Sequence, residues 1–280
     1  MKVKRFLVLT LIAAIAGMTL AFVAMAATTI VVTPTNQQGW TTADTRPGGE
    51  VNFVLDSTAP SGIGALQLTT DATTAAKAQY MHDANTPLAN VTELSYYTRQ
   101  VSGPPHADPS YQLPVCLGGL TSPQTPANPL GCTGFTTFVF EPYQNNGLGA
   151  PSPLIIPNVW QQWDVDAGQF WSSRTVNAGG SCVIAQGSGG PPFYSLATLK
   201  AICPSAVVVG FGVNIGTFNP LYDVYTDLVN FNGTTYDFEP YVIASSKDQC
   251  KNGGHAQVTR ADGSAFKNQG DCIQYLNTGK

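Results

Sequence analysis

Val207-Val208-Val209-Gly210-Phe211-Gly212-Val213-Asn214-Ile215-Gly216 decides how this chain is read. Taken in twos, Val207, Val209, Phe211, Val213 and Ile215 share one face. Val208, Gly210, Gly212, Asn214 and Gly216 share the other. Such alternation marks a β-strand. One face is branched and apolar, and the other is nearly bare backbone, open to close packing. Residues 222–231 follow after a loop holding Asn219-Pro220 and turn back through Asn232-Gly233. Asn-Gly suits a type I′ hairpin because both central residues need positive φ. That turn sets Phe231 opposite Thr234 and Val229 opposite Tyr236. It puts Asp227, Val229, Phe231, Tyr236 and Phe238 on one side. The two runs read as the closing strands of an antiparallel sandwich.

Outward from this pair, the chain divides into three parts. Residues 1–26 begin with Lys2, Lys4 and Arg5, continue through an apolar run over 6–23, and end in Ala24-Met25-Ala26. A basic start, an apolar stretch and a small-x-small site make a secretory signal peptide. The apolar run approaches the length of a membrane span, so an uncleaved anchor is the alternative. Residues 27–243 have the length of one β domain with its own core. Residues 244–280 form a short polar appendage that needs its disulfide to fold. Without the signal segment, 10 basic residues face 17 acidic ones. The body carries a net charge of −9 and the tail +2. An acidic body argues against nucleic acid, whose phosphates need a basic surface.

The six cysteines of an exported chain point to disulfides. Fifteen pairings exist for six cysteines. Sequence neighbours favour Cys116–Cys132, Cys182–Cys203 and Cys250–Cys272. Zinc is the rival reading, opposed by the absence of any Cys-x-x-Cys pair and by only three histidines, His82, His106 and His255.

Further strands are expected at 28–32, 50–56, 65–70, 75–81, 91–100, 111–117, 135–141 and 160–166. Residues 196–202 form the single expected helix, with Ser195 as cap, Leu196, Leu199 and Ile202 on one face, and Pro204 ending it. Eleven of the twenty prolines fall between Pro104 and Pro157. They imply stiff loops, where binding sites on rigid sandwiches commonly lie.

Gly62-Ile63-Gly64-Ala65-Leu66-Gln67-Leu68, Leu94-Ser95-Tyr96-Tyr97, and Val224-Tyr225-Thr226-Asp227-Leu228-Val229 followed by Tyr236-Asp237-Phe238-Glu239 carry a resemblance. They resemble the jelly-roll sandwiches of carbohydrate-binding modules and galactose-binding-like domains. The tail, Lys247 to Cys272, resembles a Cys-stapled extension found on secreted bacterial proteins. Where those carry a tryptophan after the paired glycines, this chain has His255. The resemblance implies a structural calcium held by Asp227, with Glu50 and Asp56 as partners. The alternative is that Asp227 is solvated or bonded to backbone amides.

Sugar binding needs flat exposed aromatics beside amides and carboxylates. Trp160, Trp163 and Trp171 lie among Gln161, Gln162, Asp164, Asp166 and Gln169. Tyr143 leads into Gln144, Asn145 and Asn146. Trp171 and Tyr143 flank turns and are favoured. The competing reading is ordinary packing of tryptophan. In a strand Trp160 and Trp163 face opposite sides, so at most one shares the core side with Val165. A glycosidase needs two carboxylates across the scissile bond. Asp164-x-Asp166 and Asp223 with Asp227 are the nearest approaches. Gly187-Ser188-Gly189 lies outside any strand-turn-helix elbow. The sequence therefore reads as an all-β, jelly-roll-like sandwich, secreted or at the cell surface. Its expected role is non-catalytic binding of a glycan or another extracellular surface component. A structural or adhesive surface protein and a polysaccharide hydrolase are the alternatives.

Overall fold

The computed structural model describes residues 28–104, 107–120, 131–145 and 155–280. The signal segment, His106 and Asn146 lie outside the described residues. The first half of the chain supplies β1 (Thr28–Val32), β2 (Trp40–Thr41), β3 (Gly49–Leu55), β4 (Gly64–Thr70), β5 (Ala78–Pro87), β6 (Leu94–Ser102), β7 (Ser110–Cys116) and β8 (Phe135–Phe140). The second half supplies β9 (Gln161–Asp164), β10 (Gln169–Ser172), β11 (Val176–Asn177), β12 (Val183–Ile184), β13 (Tyr194–Ser195), β14 (Val207–Ile215), β15 (Asp223–Phe231) and β16 (Thr234–Phe238). The helices are α1 (Leu196–Ile202), α2 (Lys247–Cys250) and α3 (Gln269–Thr278). The fold is an all-β sandwich of two seven-stranded sheets.

Sheet 1 is organised around β15. One edge of β15 pairs with β6, which carries β9. Its other edge is shared: Asp223–Thr226 pairs with β4, and Val229–Phe231 with β16. The fork falls at Leu228, whose φ is +48°. Asp227 sits beside it, and its Oδ1 accepts from the Phe238 amide at 2.9 Å. The hairpin register is the expected one, with Asn232 and Gly233 both at positive φ. Against the expectation of wholly antiparallel sheets, β1 pairs with β16 in parallel. Sheet 2 runs β13-β10-β8-β7-β14-β5-β2.

The opening stretch is a strand, but its phase changes midway. Val208, Phe211, Val213 and Ile215 are core residues, whereas Val207 and Val209 are half-buried on the outer side. The register slips between Val208 and the residues around Gly210 against both neighbours. A bulge inserts one residue and reverses the side on which alternate residues lie. Strict alternation therefore misplaces the first valines. Gly212 has no room for a side chain, because a Cβ there would stand 2.2 Å from the Tyr80 carbonyl oxygen.

The sheets meet through aromatic rings. Phe211 stacks on Phe231 at 4.4 Å, and Trp40 packs on Tyr80, Tyr236 and Phe238. Burying one such side chain contributes about 1.5–3 kcal/mol. Helix α1 starts where expected, with the Ser195 hydroxyl accepting from the Thr198 amide at 3.1 Å. All three expected disulfides form. The tail has its own small core of Ala244, Cys250, Val258, Phe266 and Cys272. It also holds α2 and α3, so the expectation of one helix in the chain is corrected. Those helices are short and polar, and side chains hold their N-termini: Gln249 Oε1 accepts from the Ser246 amide at 2.9 Å, and Asn268 Oδ1 from the Asp271 amide at 3.0 Å.

Candidate functional site

Strand β8 alternates so that Phe138 and Phe140 enter the core while Thr137 and Val139 face outward. Glu141 continues the outward phase and leads into the Pro142–Gln144 turn, which carries Tyr143. Strand β10 pairs Trp171 with Val139, placing the indole on the same outer face of sheet 2. Trp171 Nε1 donates to Glu141 Oε2 at 2.9 Å. The Tyr143 hydroxyl also bonds the Glu141 carboxylate. Gln144 Nε2 donates to the Tyr143 hydroxyl at 2.7 Å and to the Gly189 carbonyl. The two favoured aromatics, 28 positions apart in sequence, thus converge on one carboxylate.

Burial pushes the Glu141 carboxyl above its ordinary value, and the bonds from Trp171 and Tyr143 pull it back in part. Both rings remain partly exposed, as stacking on a ligand requires. The loop bearing Gly187 packs on the Trp171 side chain: a Cβ on Gly187 would meet Trp171 Cβ at 2.6 Å. The indole is thus held by its bond to Glu141 and by this loop, and stays partly exposed. Across the sheet, Gln112 lies outward in the row of Val139 and Trp171, and its amide donates to the Ser110 hydroxyl at 2.7 Å. Beyond it lies Gly212, over which the Met81 thioether packs: a Cβ there would meet Met81 Sδ at 2.7 Å.

The remaining expected residues separate. Trp163 is 8% exposed, lies in the core and donates to the Thr98 hydroxyl at 2.7 Å, so it is removed from the stacking set. It shares the inward phase of Val165, which leaves Trp160 to face outward. Trp160 is half-buried and donates to Asp56 Oδ2 at 3.2 Å. Asp164 and Asp166 meet at the turn after β9. There Asp164 Oδ1 accepts from the Ala167 amide at 3.4 Å, and Asp166 Oδ1 from the Leu94 amide at 2.8 Å. Burial raises the Asp166 carboxyl, against the Leu94 amide bond. These carboxylates hold a turn together, away from Trp171 and Tyr143.

Glu50, Asp56 and Asp227 keep different neighbours and form no common coordination shell. Glu50 is exposed on β3. Asp56 pairs with the Arg99 guanidinium and accepts from the Thr58 amide and hydroxyl. Burial alone would raise its carboxyl, but the Thr58 and Arg99 bonds outweigh that and hold it low. Asp227 is fully buried, but not on the core side that unbroken alternation from Val229 predicts. The register of β15 against β6 shifts after Asp227, which therefore pairs with outward Tyr97 and shares the phase of Tyr225. It is buried on the outer side of sheet 1, near Asp237, which Ser61 bonds, and Glu239, which the Ile63 amide bonds. Burial, and then those two acids, raise its carboxyl well above the ordinary range. Among the described residues no group of three His, Cys, Asp or Glu side chains is placed to hold a metal ion.

Glu141 was absent from the sequence-derived set, although it ends a strand whose outward phase is legible and stands two residues before Tyr143. Its proximity to Trp171 has no local signal, because it arises from the β8–β10 pairing.

No family model matches the chain, and no curated protein matches it. Among solved structures, the chain is similar to an arabinose-bound α-L-arabinofuranosidase, with 10% identity and a TM-score of 0.36 over 71% of this chain. The match spans 24% of the arabinofuranosidase chain. It is also similar to a conserved carbohydrate esterase from the Shiga toxin-encoding bacteriophage phi24B. That match has 15% identity and a TM-score of 0.34 and covers 68% of this chain and 87% of the esterase.

Proposed function

We propose that this protein is an exported β-sandwich that binds glycans without cleaving them, through the outer face of sheet 2. The observation that carries the reading is the convergence of Trp171 and Tyr143 on Glu141. An aromatic face offers stacking, and fixed polar groups beside it orient a hydroxylated ligand. Three disulfides suit an oxidising compartment outside the cytosol. Glu141 bonds to an indole and a phenol, whereas hydrolysis needs a second carboxylate across the bond.

Affinity electrophoresis against a polysaccharide panel tests this. Wild type should be retarded by at least one polysaccharide, and Trp171→Ala should weaken that retention by about tenfold, as for loss of a buried aromatic anchor. Glu141→Gln should weaken it less, because an amide still accepts one of the two bonds. Equal retention of wild type and Trp171→Ala would remove the site from the account. Release of reducing sugar, lost in Glu141→Gln, would replace binding by hydrolysis.

A further inference from the structure

The opposite face of the sandwich carries a second row of side chains in cross-strand register. Asn52 on β3 pairs with Gln67 on β4, Gln67 with Tyr225 on β15, and Tyr225 with Arg99 on β6. Gln161 pairs with Thr98, which brings Trp160 beside Arg99. Trp160 and Arg99 both donate to Asp56 Oδ2. All five side chains of the row lie on the outer face, partly or fully exposed. The row crosses five strands, about 19 Å at ~4.8 Å per step. In the next row the Tyr97 hydroxyl donates to Gln162 Oε1 at 2.9 Å.

The charge on this face selects its ligand. Arg99 is the cation of the row, and it is already committed. It pairs with Asp56, donates to the Thr58 hydroxyl at 2.9 Å and lies over the Tyr225 ring at 5.7 Å. Asp223 accepts from Gln67 Nε2 at 2.8 Å, and Glu50 is exposed on the neighbouring strand. An anionic ligand would meet carboxylates with no uncommitted cation to offset them. An uncharged polyol finds the partly exposed Trp160 and Tyr225 rings flanked by amides, with Arg99 over one face of Tyr225.

We propose that the outer face of sheet 1 is a separate binding face for the interior of an uncharged, linear polysaccharide, centred on Trp160 and Tyr225. The two outer faces point in opposite directions, so one polysaccharide strand cannot lie on both. The proposal does not depend on the Trp171 site.

The test is affinity electrophoresis of the full exported chain in gels containing neutral glucan, mannan or xylan, or acidic alginate or polygalacturonate. The double variant Trp160→Ala/Tyr225→Ala should lose about tenfold in retention by a neutral polymer. Trp171→Ala should leave that part of the retention in place. Asn52→Ala and Gln162→Ala alter exposed side chains and leave the fold intact. Each should weaken binding by a few-fold and keep the test meaningful should the double variant unfold. A neutral oligosaccharide should compete far better than its monosaccharide. Unchanged retention in all these variants, stronger retention by the acidic polymers, or equal competition by a monosaccharide would each overturn the proposal. Retention lost in Trp171→Ala alone would overturn this face and leave the first site standing. No retention of wild type by any polymer would remove both.

Discussion

The three buried acids at the fork of sheet 1 and the acids of the tail lie in opposite surroundings. Within sheet 1, Asp227, Asp237 and Glu239 are 0%, 6% and 5% exposed. Among the described residues none of them forms an ion pair. Asp227 Oδ2 and Asp237 Oδ1 are buried without a hydrogen-bond partner. In the tail, Asp271 receives two bonds from the Arg260 guanidinium, at 2.7 and 2.8 Å, and one from the Lys267 amide. Burial raises the three sandwich carboxyls, Glu239 to about 7. The Lys267 amide and then Arg260 lower Asp271. The body draws its stability from a continuous apolar core and tolerates badly solvated acids on the outer side of sheet 1, where Ser61 bonds Asp237 and the Ile63 amide bonds Glu239. The tail has five buried core residues and depends on a staple and on well-paired charges.

That contrast can be broken most forcefully in the body. Phe211→Ala removes a ring that stacks across the two sheets, and should cost about 3–5 kcal/mol in denaturant unfolding. Val209→Ala, on the outer side of the bulge, should cost about 1 kcal/mol or less. Comparable losses at both positions would show that the change of phase is misplaced.

Opening the staple of the tail comes next. Replacing Cys250 and Cys272 by serine frees a loop with a separation of 22 residues. The chain-entropy model puts that at about 3 kcal/mol. Limited proteolysis should then remove the tail while the sandwich keeps its melting transition. A simultaneous collapse of both would show that they fold as one unit.

Changing pH should separate the regions by sign. Asp227, Asp237 and Glu239 hold protons more readily when folded than when unfolded. Their contribution is full below the ordinary values of 3.8 and 4.5 and drains as pH rises through the folded values, toward about 7 for Glu239. The sandwich should therefore melt higher at pH 5 than at pH 8. Asp227→Asn, which keeps an acceptor for the Phe238 amide, should narrow that gap. The carboxyls of Asp248, Asp262 and Asp271 are lowered. Their contribution is present above 3.8 and is lost in acid. The protection of tail amides, corrected for the intrinsic pH dependence of exchange, should therefore fall there and stay level between pH 5 and 8. A sandwich that gains stability toward pH 8 would contradict the reading of its buried acids.

The smallest effect is expected at Arg260. Arg260→Lys removes the forked contact to Asp271 and the stacking on Phe266 at 4.7 Å. For a solvent-screened pair the loss should be the smallest of the set, a slight downward shift of the tail's unfolding midpoint. The loss should appear in the tail alone.

Local chemistry made part of this fold legible in advance. Asn232-Gly233 specified its hairpin because two adjacent residues had to accept positive φ. Ser195 specified the start of α1 because its hydroxyl needs only an amide three residues on. The disulfides joined sequence neighbours, and their pairing followed the order of the cysteines. Trp160 and Trp163 were separable by parity alone, which is why one proved outward and the other core. The site was less legible. Trp171 and Tyr143 were recognisable as turn-flanking aromatics, whereas Glu141, Tyr97, Arg99, Tyr225 and Gln67 were not singled out. Their outward phase is written in each strand, but a phase does not say which strands become neighbours.

The sequence by itself determined the alternating strands, the turns between them, the capped helix and the staples, since each rests on contacts within a few residues or between adjacent cysteines. Tertiary structure alone decided the bulge at Val209, the parallel seat of β1, and the fork of β15 that leaves Asp227 without a counter-charge. It also decided which side chains share the two outer faces. Those features depend on register between distant strands, and a register is selected by the whole core at once.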